Sequence, residues 1–378
     1  MTSRRFFLAL GGALAMAAGP ASAQIVQTTA VPFLQIEPDS RAAGMGMTGV
    51  AVADNAAALF WNPAGLAAQT GTEVAFTHAP WLPNLGADLF FEYLAGRHHL
   101  EGIGTFAGHV TFLNLGEQER TDEQGNSLGT FRSYDLAVGA SYGTQVRNNL
   151  SVGGGLRLIY SNLASGIEVG GQETRAGVAV AADLGVLYRL PAFGDGRFRP
   201  SVGLNLANMG PSIQYSDNPQ SDPIPTNIRL GTAITANLDE YNRITWAFDA
   251  NKLLVDKDSS GQAAPFYEAL FTSWGSITVD IDGPPEPGET NNQPPETVGV
   301  FRQFTYGTGL EYWYNNLFAL RAGYFYEDPS NGNRQFATFG AGFRYNLVGA
   351  DLSYIYALEE NSPLADQLRL SLTLNLNR

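Results

Sequence analysis

The amino-acid sequence predicts an all-β protein: a fourteen-stranded antiparallel transmembrane β-barrel with an N-terminal plug. Three observations lead to this prediction. The chain opens with an export signal, several segments after residue 70 alternate strictly between apolar and polar residues, and the connections alternate between short turns and long loops. The predicted division is a signal peptide at 1–23, a plug at 24–70 and a barrel at 71–378, whose largest loop spans 255–298.

The first residues have the three parts of a secretory signal. Arg4 and Arg5 supply positive charge, residues 6–18 are mostly apolar, and Ala21-Ser22-Ala23 fits a cleavage site ahead of Gln24. The two arginines also fit a twin-arginine signal. That route exports folded cargo, whereas a barrel reaches its membrane unfolded, so we interpret the pair as an ordinary charged start. We expect cleavage and delivery to the outer membrane.

The composition excludes several classes of site. Cysteine is absent, so disulfides, zinc–thiolate sites and lipid anchoring through an N-terminal cysteine are excluded. The formal net charge of −14 argues against nucleic acid as a partner. No apolar stretch after residue 24 approaches the ~20 residues of a membrane helix. An exported chain of this kind is either a large periplasmic β protein or an outer-membrane barrel.

The segment ahead of the first strand differs from everything after it. Residues 38–66 are rich in alanine and glycine, show no alternation, and lead into Trp61-Asn62-Pro63. Pro63 fixes its own φ and restricts Asn62, which suits a tight turn in a confined space. We therefore predict a plug, with Trp61, Asn62 and Pro63 held against the barrel wall.

The predicted strands have one apolar and one polar face. In the last of them, leucines at every second position from 368 to 376 alternate with Gln367, Arg369, Ser371, Thr373 and Asn375. The apolar face would contact the core of a soluble sandwich or the lipid around a barrel, and alternation alone does not decide between them.

The connections favour the barrel. Strands are predicted at 72–82, 89–98, 103–116, 130–145, 150–163, 176–190, 200–208, 227–237, 242–254, 299–314, 317–326, 335–346, 350–358 and 366–376. Their connections are alternately short and long, as in outer-membrane barrels, where short turns face the periplasm and long loops face outward. A sandwich has no reason to sort its loops in this way.

Four arginines sit between apolar neighbours in these strands. Successive side chains of a strand point to opposite faces, a repeat of period two. Each of these arginines would therefore face away from the lipid, opposite its apolar neighbours. They are Arg157, Arg321, Arg344 and Arg369. We expect them to point into the lumen and to pair there with acids or with plug carbonyls.

The largest predicted loop contains two different parts. Residues 265–278 could form a short amphipathic helix with Phe266, Leu270, Phe271 and Trp274 on one side, whereas residues 280–296 are proline-rich and acidic. The acidic charge fits either simple solvation of an exposed loop or a docking surface. Aromatic side chains at a loop tip are harder to explain by solvation, so these four residues are candidates for a binding surface.

No motif predicts catalysis, a cofactor or a metal site. The histidines lack metalloprotease spacing, and no Gly-x-Ser-x-Gly elbow occurs. The glycine runs, such as Gly153-Gly154-Gly155, lie within predicted strands, where they let the backbone bend or let a plug approach the wall closely. We expect a protein that is not an enzyme and has no cofactor.

Short blocks along the chain carry a family resemblance. The plug contains Arg41-Ala42-Ala43-Gly44-Met45-Gly46 and then Trp61-Asn62-Pro63-Ala64. Further blocks follow in order at 113–117, 121–125, 156–163, 207–211, 224–231, 251–255, 320–327, 332–334 and 363–369. Together they resemble the PorV/PorQ family, barrels related to the FadL fatty-acid transporters, over almost the whole chain after the signal. The stretch at 280–296 departs from the family.

The resemblance implies a FadL-like fold and a role in type IX secretion. It implies an outer-membrane component that binds the C-terminal sorting domain of secreted cargo and shuttles it from the translocon to a PorU-type sortase and attachment complex. The expected partners are therefore these proteins and outer-membrane lipid. The alternative is a FadL-like transporter of hydrophobic small molecules. An enzyme acting on lipopolysaccharide, a third possibility, would need a nucleophile and base that these histidines do not supply.

Overall fold

A computed structural model describes most of the chain after the predicted signal. The described residues are 29–85, 88–121, 126–169, 172–217, 221–256, 262–279, 296–359 and 362–376. The predicted signal peptide and all but the last residue of the acidic stretch at 280–296 lie outside them.

The described chain is built mainly of β-strands. They are β1 (Thr72–Pro80), β2 (Phe90–Leu100), β3 (Gly104–Thr121), β4 (Ser127–Arg147), β5 (Leu150–Asn162), β6 (Glu168–Val169), β7 (Gln172–Glu173), β8 (Gly177–Arg189), β9 (Phe198–Met209), β10 (Asn227–Asn237), β11 (Asn242–Leu253), β12 (Ile277–Val279), β13 (Glu296–Val298), β14 (Phe304–Tyr314), β15 (Phe318–Glu327), β16 (Gln335–Tyr345), β17 (Val348–Ala357) and β18 (Leu368–Asn375).

Fourteen of the described strands form one closed antiparallel barrel. Each strand pairs with its neighbours in chain order, and β1 pairs with β18 to close the wall. The remaining short strands form two ribbons, β6–β7 and β12–β13, within loops. The prediction of a fourteen-stranded antiparallel barrel is confirmed.

Helices are few and short. They are α1 (Ser40–Ala43), α2 (Ala58–Trp61) and α3 (Phe266–Thr272), with 3₁₀ turns at Pro32–Gln35, Pro63–Ala68, Pro83–Leu85, Val300–Gln303 and Pro329–Asn331. In the part of the chain that the structure describes, no helix has the length and apolar character needed to cross a membrane.

Several predicted boundaries were wrong, two of them in the largest loop. The strand predicted at 299–314 begins only at Phe304, because Val300–Gln303 forms a 3₁₀ turn. The helix predicted at 265–278 ends at Thr272, and residues Ile277–Val279 pair instead with Glu296–Val298. In the second place Ile277 is buried against Val298, which favours the short ribbon over a longer helix.

The two faces of the wall differ as period two requires. In β18, Leu370 and Leu372 are 44% and 47% exposed, whereas Arg369 and Ser371 are 1% and 4% exposed. The exposed apolar face surrounds the barrel as a lipid-facing band, and the polar face lies inside.

The barrel ends also differ. Short turns at 101–103, 148–149, 190–197, 238–241, 315–317 and 346–347 lie at the end where β1 starts and β18 finishes. We call this the turn end. The opposite end, the loop end, carries the long connections, including residues 254–303 between β11 and β14. In outer-membrane barrels the turn end faces the periplasm.

Residues 29–69, the N-terminal segment, pack inside the wall. Glycines on the inner face let its backbone approach, and a Cβ added to Gly153, Gly203 or Gly309 would lie 2.2–2.5 Å from atoms of Pro63, Val50 or Met45. A side chain at these positions would overlap the segment, so each glycine is a point of direct backbone contact between segment and wall.

Adding one methyl group at such a contact should destabilise the barrel. Gly309→Ala would place its Cβ 2.2 Å from the carbonyl oxygen of Met45. We expect a loss of about 1–3 kcal/mol in unfolding free energy, typical of overpacking, measured by urea titration in detergent. Gly96→Ala is the matched control, because its nearest neighbour would be 3.9 Å away. Equal stability of the two variants would contradict the contact.

Candidate functional site

The C-terminal end of the N-terminal segment is fixed by its own polar groups and by the wall. The Asn62 side-chain amide donates to the carbonyl oxygens of Val50 at 3.1 Å and Val186 at 3.0 Å. Its carbonyl oxygen accepts from the Ala64 N–H at 3.1 Å, which starts the 3₁₀ turn at Pro63–Ala68. Asn62 thus joins two parts of the segment to strand β8.

The other motif residues allow equally close packing. Gly46 has a φ of +67°, and its N–H donates to the Thr338 hydroxyl at 2.9 Å. Gly44 lies against Gly340, where an added Cβ would be 3.0 Å from the Gly340 Cα. Trp61 covers Gly49, whose Cβ would fall 2.4 Å from the indole ring. An added Cβ would therefore overlap its neighbours at Gly46 and Gly49 and be tightly packed at Gly44, and the positive φ of Gly46 also favours glycine.

Arg41 is the centre of an ion network between segment and wall. Its guanidinium makes two hydrogen bonds of 2.7 Å to the Glu311 carboxylate and also pairs with Asp54. Glu311 receives a third bond from Arg321, at 2.8 Å. Although burial opposes the charged form, the charges of Asp54 and Glu311 raise the pKa of Arg41 above its ordinary value.

The network continues along the wall. Arg321 donates to Asp351 at 2.8 Å, and Asp351 in turn pairs with Arg344. The carboxylates alternate with guanidinium groups from β14 through β15 and β17 to β16, so each buried charge has at least one opposite neighbour.

A second set of polar contacts holds the segment to the neighbouring strands β10 and β11. The Asp249 carboxylate accepts from the backbone N–H groups of Gly49 at 2.6 Å and Val50 at 2.9 Å. Arg229 donates to the Phe60 carbonyl oxygen at 2.7 Å, and its guanidinium carbon lies 4.2 Å from the centre of the Phe60 ring. Together with the Arg41 network, these contacts attach the segment to a continuous part of the wall, because β11 pairs directly with β14.

The four arginines singled out from the sequence all lie on the inner face. Arg157 pairs with Asp183 at 2.5 Å and with the Asn208 side chain at 2.8 Å, and Arg369 donates to the carbonyl oxygen of Glu37. The structure brings Arg321 and Arg344 into the network around Glu311 and Asp351, whereas Arg157 and Arg369 lie in separate contacts.

Several inner-face residues were missed by the sequence analysis. Glu311 lies between Leu310 and Tyr312, and Asp249 lies between Phe248 and Ala250. The same period-two argument that singled out the arginines would have placed both acids in the lumen.

Two of the larger cavities lie at opposite ends of the segment. One, of about 380 Å³ at the loop end, is largely apolar, and Phe33, Ile36, Trp81, Phe336 and Ile355 are among its lining residues. The other, of about 500 Å³ at the turn end, is polar, and its lining includes Arg41. The segment contributes residues to both cavities.

The largest loop presents aromatic side chains at the loop end. Tyr267, Phe271 and Phe301 are 57%, 81% and 77% exposed. We call these three residues the aromatic patch. Of the residues predicted for a binding surface, only Phe271 belongs to it, because Phe266 and Leu270 are half-buried.

Trp274 has a different position from that predicted. It lies beyond the end of α3, its indole N–H donates to the Leu270 carbonyl oxygen at 2.8 Å, and its ring centre is 6.4 Å from that of Phe304. The Gln303 amide donates to the Gly275 carbonyl oxygen at 2.9 Å. Trp274 therefore helps to attach the loop to β14, and the base of the aromatic patch is ordered.

A salt-bridge clasp joins this loop to the next one. Arg302 pairs with Glu296 and, at 2.9 Å, with Asp328, which precedes the 3₁₀ turn Pro329–Asn331. The hydrogen bond from Arg302 lowers the pKa of Asp328 to about 2. The Arg302–Asp328 pair of the clasp is therefore charged at neutral pH.

Among the described residues, no group of three or more histidine, aspartate or glutamate side chains is arranged to hold a metal ion. The fold and the filled lumen define a FadL-like outer-membrane β-barrel. The family model of the type IX secretion system protein PorV matches residues 20–260, and the chain belongs to that family. PorV is a secretion-system family and not a family of enzymes.

Solved structures share the fold at low sequence identity. The toluene transporter TodX of Pseudomonas putida is 14% identical, with a TM-score of 0.53 over 90% of this chain and 99% of that chain. A TodX deltaS2S3 mutant, a monoaromatic hydrocarbon channel, is 15% identical, with a TM-score of 0.51 over 90% and 98%. A Pseudomonas aeruginosa FadL homologue is 11% identical, with a TM-score of 0.44 over 90% and 98%. No curated protein matches the chain.

Breaking the network at Glu311 should loosen the N-terminal segment. Glu311→Gln leaves Arg41 and Arg321 without a shared carboxylate in a buried site, so we expect a loss of about 3–5 kcal/mol in unfolding free energy. Urea titration in detergent measures the loss, and recordings in planar bilayers should show more open-channel current than wild type.

Glu117→Gln serves as the matched control for this experiment. Glu117 faces Arg132 at 3.9 Å with both side chains more than half exposed, and such surface pairs contribute little. If Glu311→Gln were as stable and as closed as Glu117→Gln, the network would not hold the segment.

Proposed function

We propose that the protein is a non-enzymatic carrier of type IX secretion in the outer membrane. In this proposal it binds the C-terminal sorting domain of secreted cargo at the loop end. It then moves within the membrane from the translocon to a PorU-type sortase and attachment complex. Membership of the PorV family supports the secretion role, and the aromatic patch supports the position of the cargo surface.

The aromatic patch is the observation that carries the cargo surface. Three large aromatic side chains stand exposed on one loop, although exposing such side chains gives a loop tip no stability of its own. Beneath them the loop is fixed: Ile277 and Val298 are buried against each other, and Lys252 donates to Gln303 at 2.8 Å. An ordered aromatic surface loses little entropy on binding, and aromatic residues are enriched among the anchors of protein interfaces.

The N-terminal segment has a separate part in this proposal. Residues 24–70 act as a plug that closes the lumen after residues 1–23 are removed as a signal peptide. Buried ion pairs, glycine contacts and the Asn62 bridge support a fixed plug. A purified wild-type barrel that carries a steady wide-pore current in planar bilayers would contradict it.

Removing the aromatic patch should reduce cargo binding without unfolding the barrel. Tyr267→Ser and Phe271→Ser each remove an exposed ring, so we expect each to weaken the affinity for a purified sorting domain about tenfold or more. Surface plasmon resonance with the detergent-solubilised barrel measures the change, and heat-modifiable migration on gels reports folding.

Phe193→Ser is the matched control for the patch, because Phe193 is 54% exposed in a turn at the opposite end. Unchanged sorting-domain affinity in the double variant Tyr267→Ser/Phe271→Ser would remove the patch from the binding site. Outer-membrane barrels carry rings of aromatic side chains at both membrane surfaces, and the patch would then be assigned to such a ring.

The apolar cavity at the loop end supports a second candidate function. Its volume of about 380 Å³ lies within the range of small-molecule sites, and its lining combines apolar side chains with a few polar groups such as Asp135 and Arg334. A hydrophobic molecule of modest size would fit this description. The shared fold with a toluene transporter is compatible with such binding but does not identify a ligand.

A charge in the cavity distinguishes the two candidates. Ile355 is 3% exposed and lines the cavity, so Ile355→Arg should abolish binding of the fluorescent hydrophobic probe N-phenyl-1-naphthylamine while leaving sorting-domain affinity unchanged. Leu238→Arg, in an exposed turn at the other end, is the control. If the wild-type barrel does not bind the probe, the small-molecule candidate is eliminated.

A further inference from the structure

The hairpin of β3 and β4 extends beyond the barrel wall at the loop end. The ladder between β2 and β3 ends at Asn114, and the ladder between β4 and β5 ends at Tyr134. Residues 117–120 of β3 and 129–132 of β4 continue to pair with each other. Among the residues that the structure describes, these two stretches pair with no other strand. We call them the free hairpin.

A row of aromatic side chains places the free hairpin outside the membrane. Phe90, Phe112, Tyr134 and Tyr160 lie on the outer face of four neighbouring strands, with successive ring centres 5.9–6.0 Å apart. Aromatic rows of this kind mark the membrane boundary of outer-membrane barrels. The free hairpin follows the row in the direction of the loop end, so it projects into the aqueous space outside the membrane.

Both edges of the free hairpin carry unpaired backbone groups. In an antiparallel sheet the N–H and C=O groups of a strand point alternately to its two neighbours, and each strand here has a neighbour on one side only. Along 129–132, the contact of the described chain outside the ladder runs from the Gly129 N–H to the Ser127 hydroxyl, at 3.5 Å. An isolated two-stranded hairpin is marginally stable, and a third strand would stabilise it.

The two edges differ in their protection against strand addition. The β3 edge carries the exposed charged side chains of Glu117, Glu119 and Arg120, and a register shift lies at its base. The stretch 129–132 of β4 has one charged residue, Arg132, and pairs regularly with β3; a second register shift lies beyond it, toward the tip. Charges and bulges are the usual protection of native edges, so the β4 edge is the open one.

We propose that the β4 edge, residues 129–132, accepts an extended segment of a partner protein as an added antiparallel strand on the outer side of the membrane. A row of alternating N–H and C=O groups is matched by another extended backbone and not by a lipid or a sugar. The side chains set a preference: an acidic residue opposite Arg132 and an aromatic residue opposite Gly129.

The proposed edge is separate from the aromatic patch. Four strands of the wall lie between β4 and β11 in one direction, and six lie between β3 and β14 in the other. The role of the β4 edge therefore does not depend on the proposed cargo surface, and the two sites can be tested independently.

A designed peptide tests the proposal on the full-length barrel in detergent. The probe is fluorescein-labelled Thr-Glu-Val-Thr-Tyr-Thr amide, which places Glu opposite Arg132 and Tyr opposite Gly129 in antiparallel register. Fluorescence anisotropy should show saturable binding. The control peptide carries N-methyl groups on Val and on the Thr after it, so that whichever of its edges faces β4 loses a donor. We expect the control to bind at least fivefold more weakly.

Hydrogen–deuterium exchange reports where the probe pairs. Backbone pairing slows exchange of the amides that it engages. Saturating probe should therefore slow exchange in residues 127–133 more than in residues 115–121, whereas binding through side chains alone would leave the exchange of both stretches unchanged.

Proline variants assign the binding to the β4 backbone, because proline removes an N–H donor. Of two adjacent residues, one N–H points to the free edge and the other to the partner strand. Thr130→Pro and Phe131→Pro should thus both weaken the probe about fivefold or more, one through the edge and one through the hairpin. The matched pair on β3 is Gln118→Pro and Glu119→Pro, of which the variant that keeps the ladder should bind as wild type.

Four outcomes would overturn the proposal. They are no saturable binding of the probe by the wild-type barrel, equal affinity for the N-methylated peptide, no slowing of exchange in residues 127–133, and wild-type affinity in either Thr130→Pro or Phe131→Pro. Heat-modifiable migration on gels checks folding of each variant. The free hairpin lies beyond the ladders that close the barrel, so these substitutions should leave the barrel folded.

Discussion

The two-fold hydrogen bond between Arg41 and Glu311 is the contact on which the interior of this barrel depends. Lipid requires an apolar outer face, and period two then places polar and charged side chains inside. A fourteen-stranded wall is too wide for those side chains to fill. The N-terminal segment occupies the space and supplies partners for them: Arg41 for Glu311, backbone N–H groups for Asp249, and a carbonyl oxygen for Arg229. The wall and the segment therefore supply hydrogen-bond and ion-pair partners for each other's buried polar groups.

Close packing makes this mutual satisfaction possible. Backbone atoms of the segment can reach wall carboxylates at 2.6–2.9 Å because inner-face glycines leave no side chain between them. The small residues of the segment have the same effect from the other side. Alanine and glycine in residues 38–66 thus reflect contact with a wall, and their loss of conformational freedom is offset by hydrogen bonds in a water-poor space.

The sequence predicted the wall far better than what lies inside it. Strand positions and the inner-face arginines follow from period two, which the bilayer imposes on every strand. The path of the segment has no such period, so the partner of Arg41 could not be named before the structure. In the largest loop, helical spacing grouped Trp274 with Phe271. Tertiary packing against Phe304 instead turned Trp274 inward and left Tyr267, Phe271 and Phe301 exposed. Local patterns do not report which apolar residues find a partner elsewhere in the chain.

A filled lumen also constrains how the barrel can work. The segment between the two cavities is held by buried ion pairs to β14 and by Asp249 and Arg229 to the adjacent strands β11 and β10. Breaking one buried pair costs about 3–5 kcal/mol, so displacement of the whole segment is rare without a compensating interaction. Binding at either end needs no such displacement. The aromatic patch and the two cavities can each be reached from one end of the barrel without moving the segment. This geometry suits a carrier that binds its partners, and it suits a channel that passes solutes through the barrel less well.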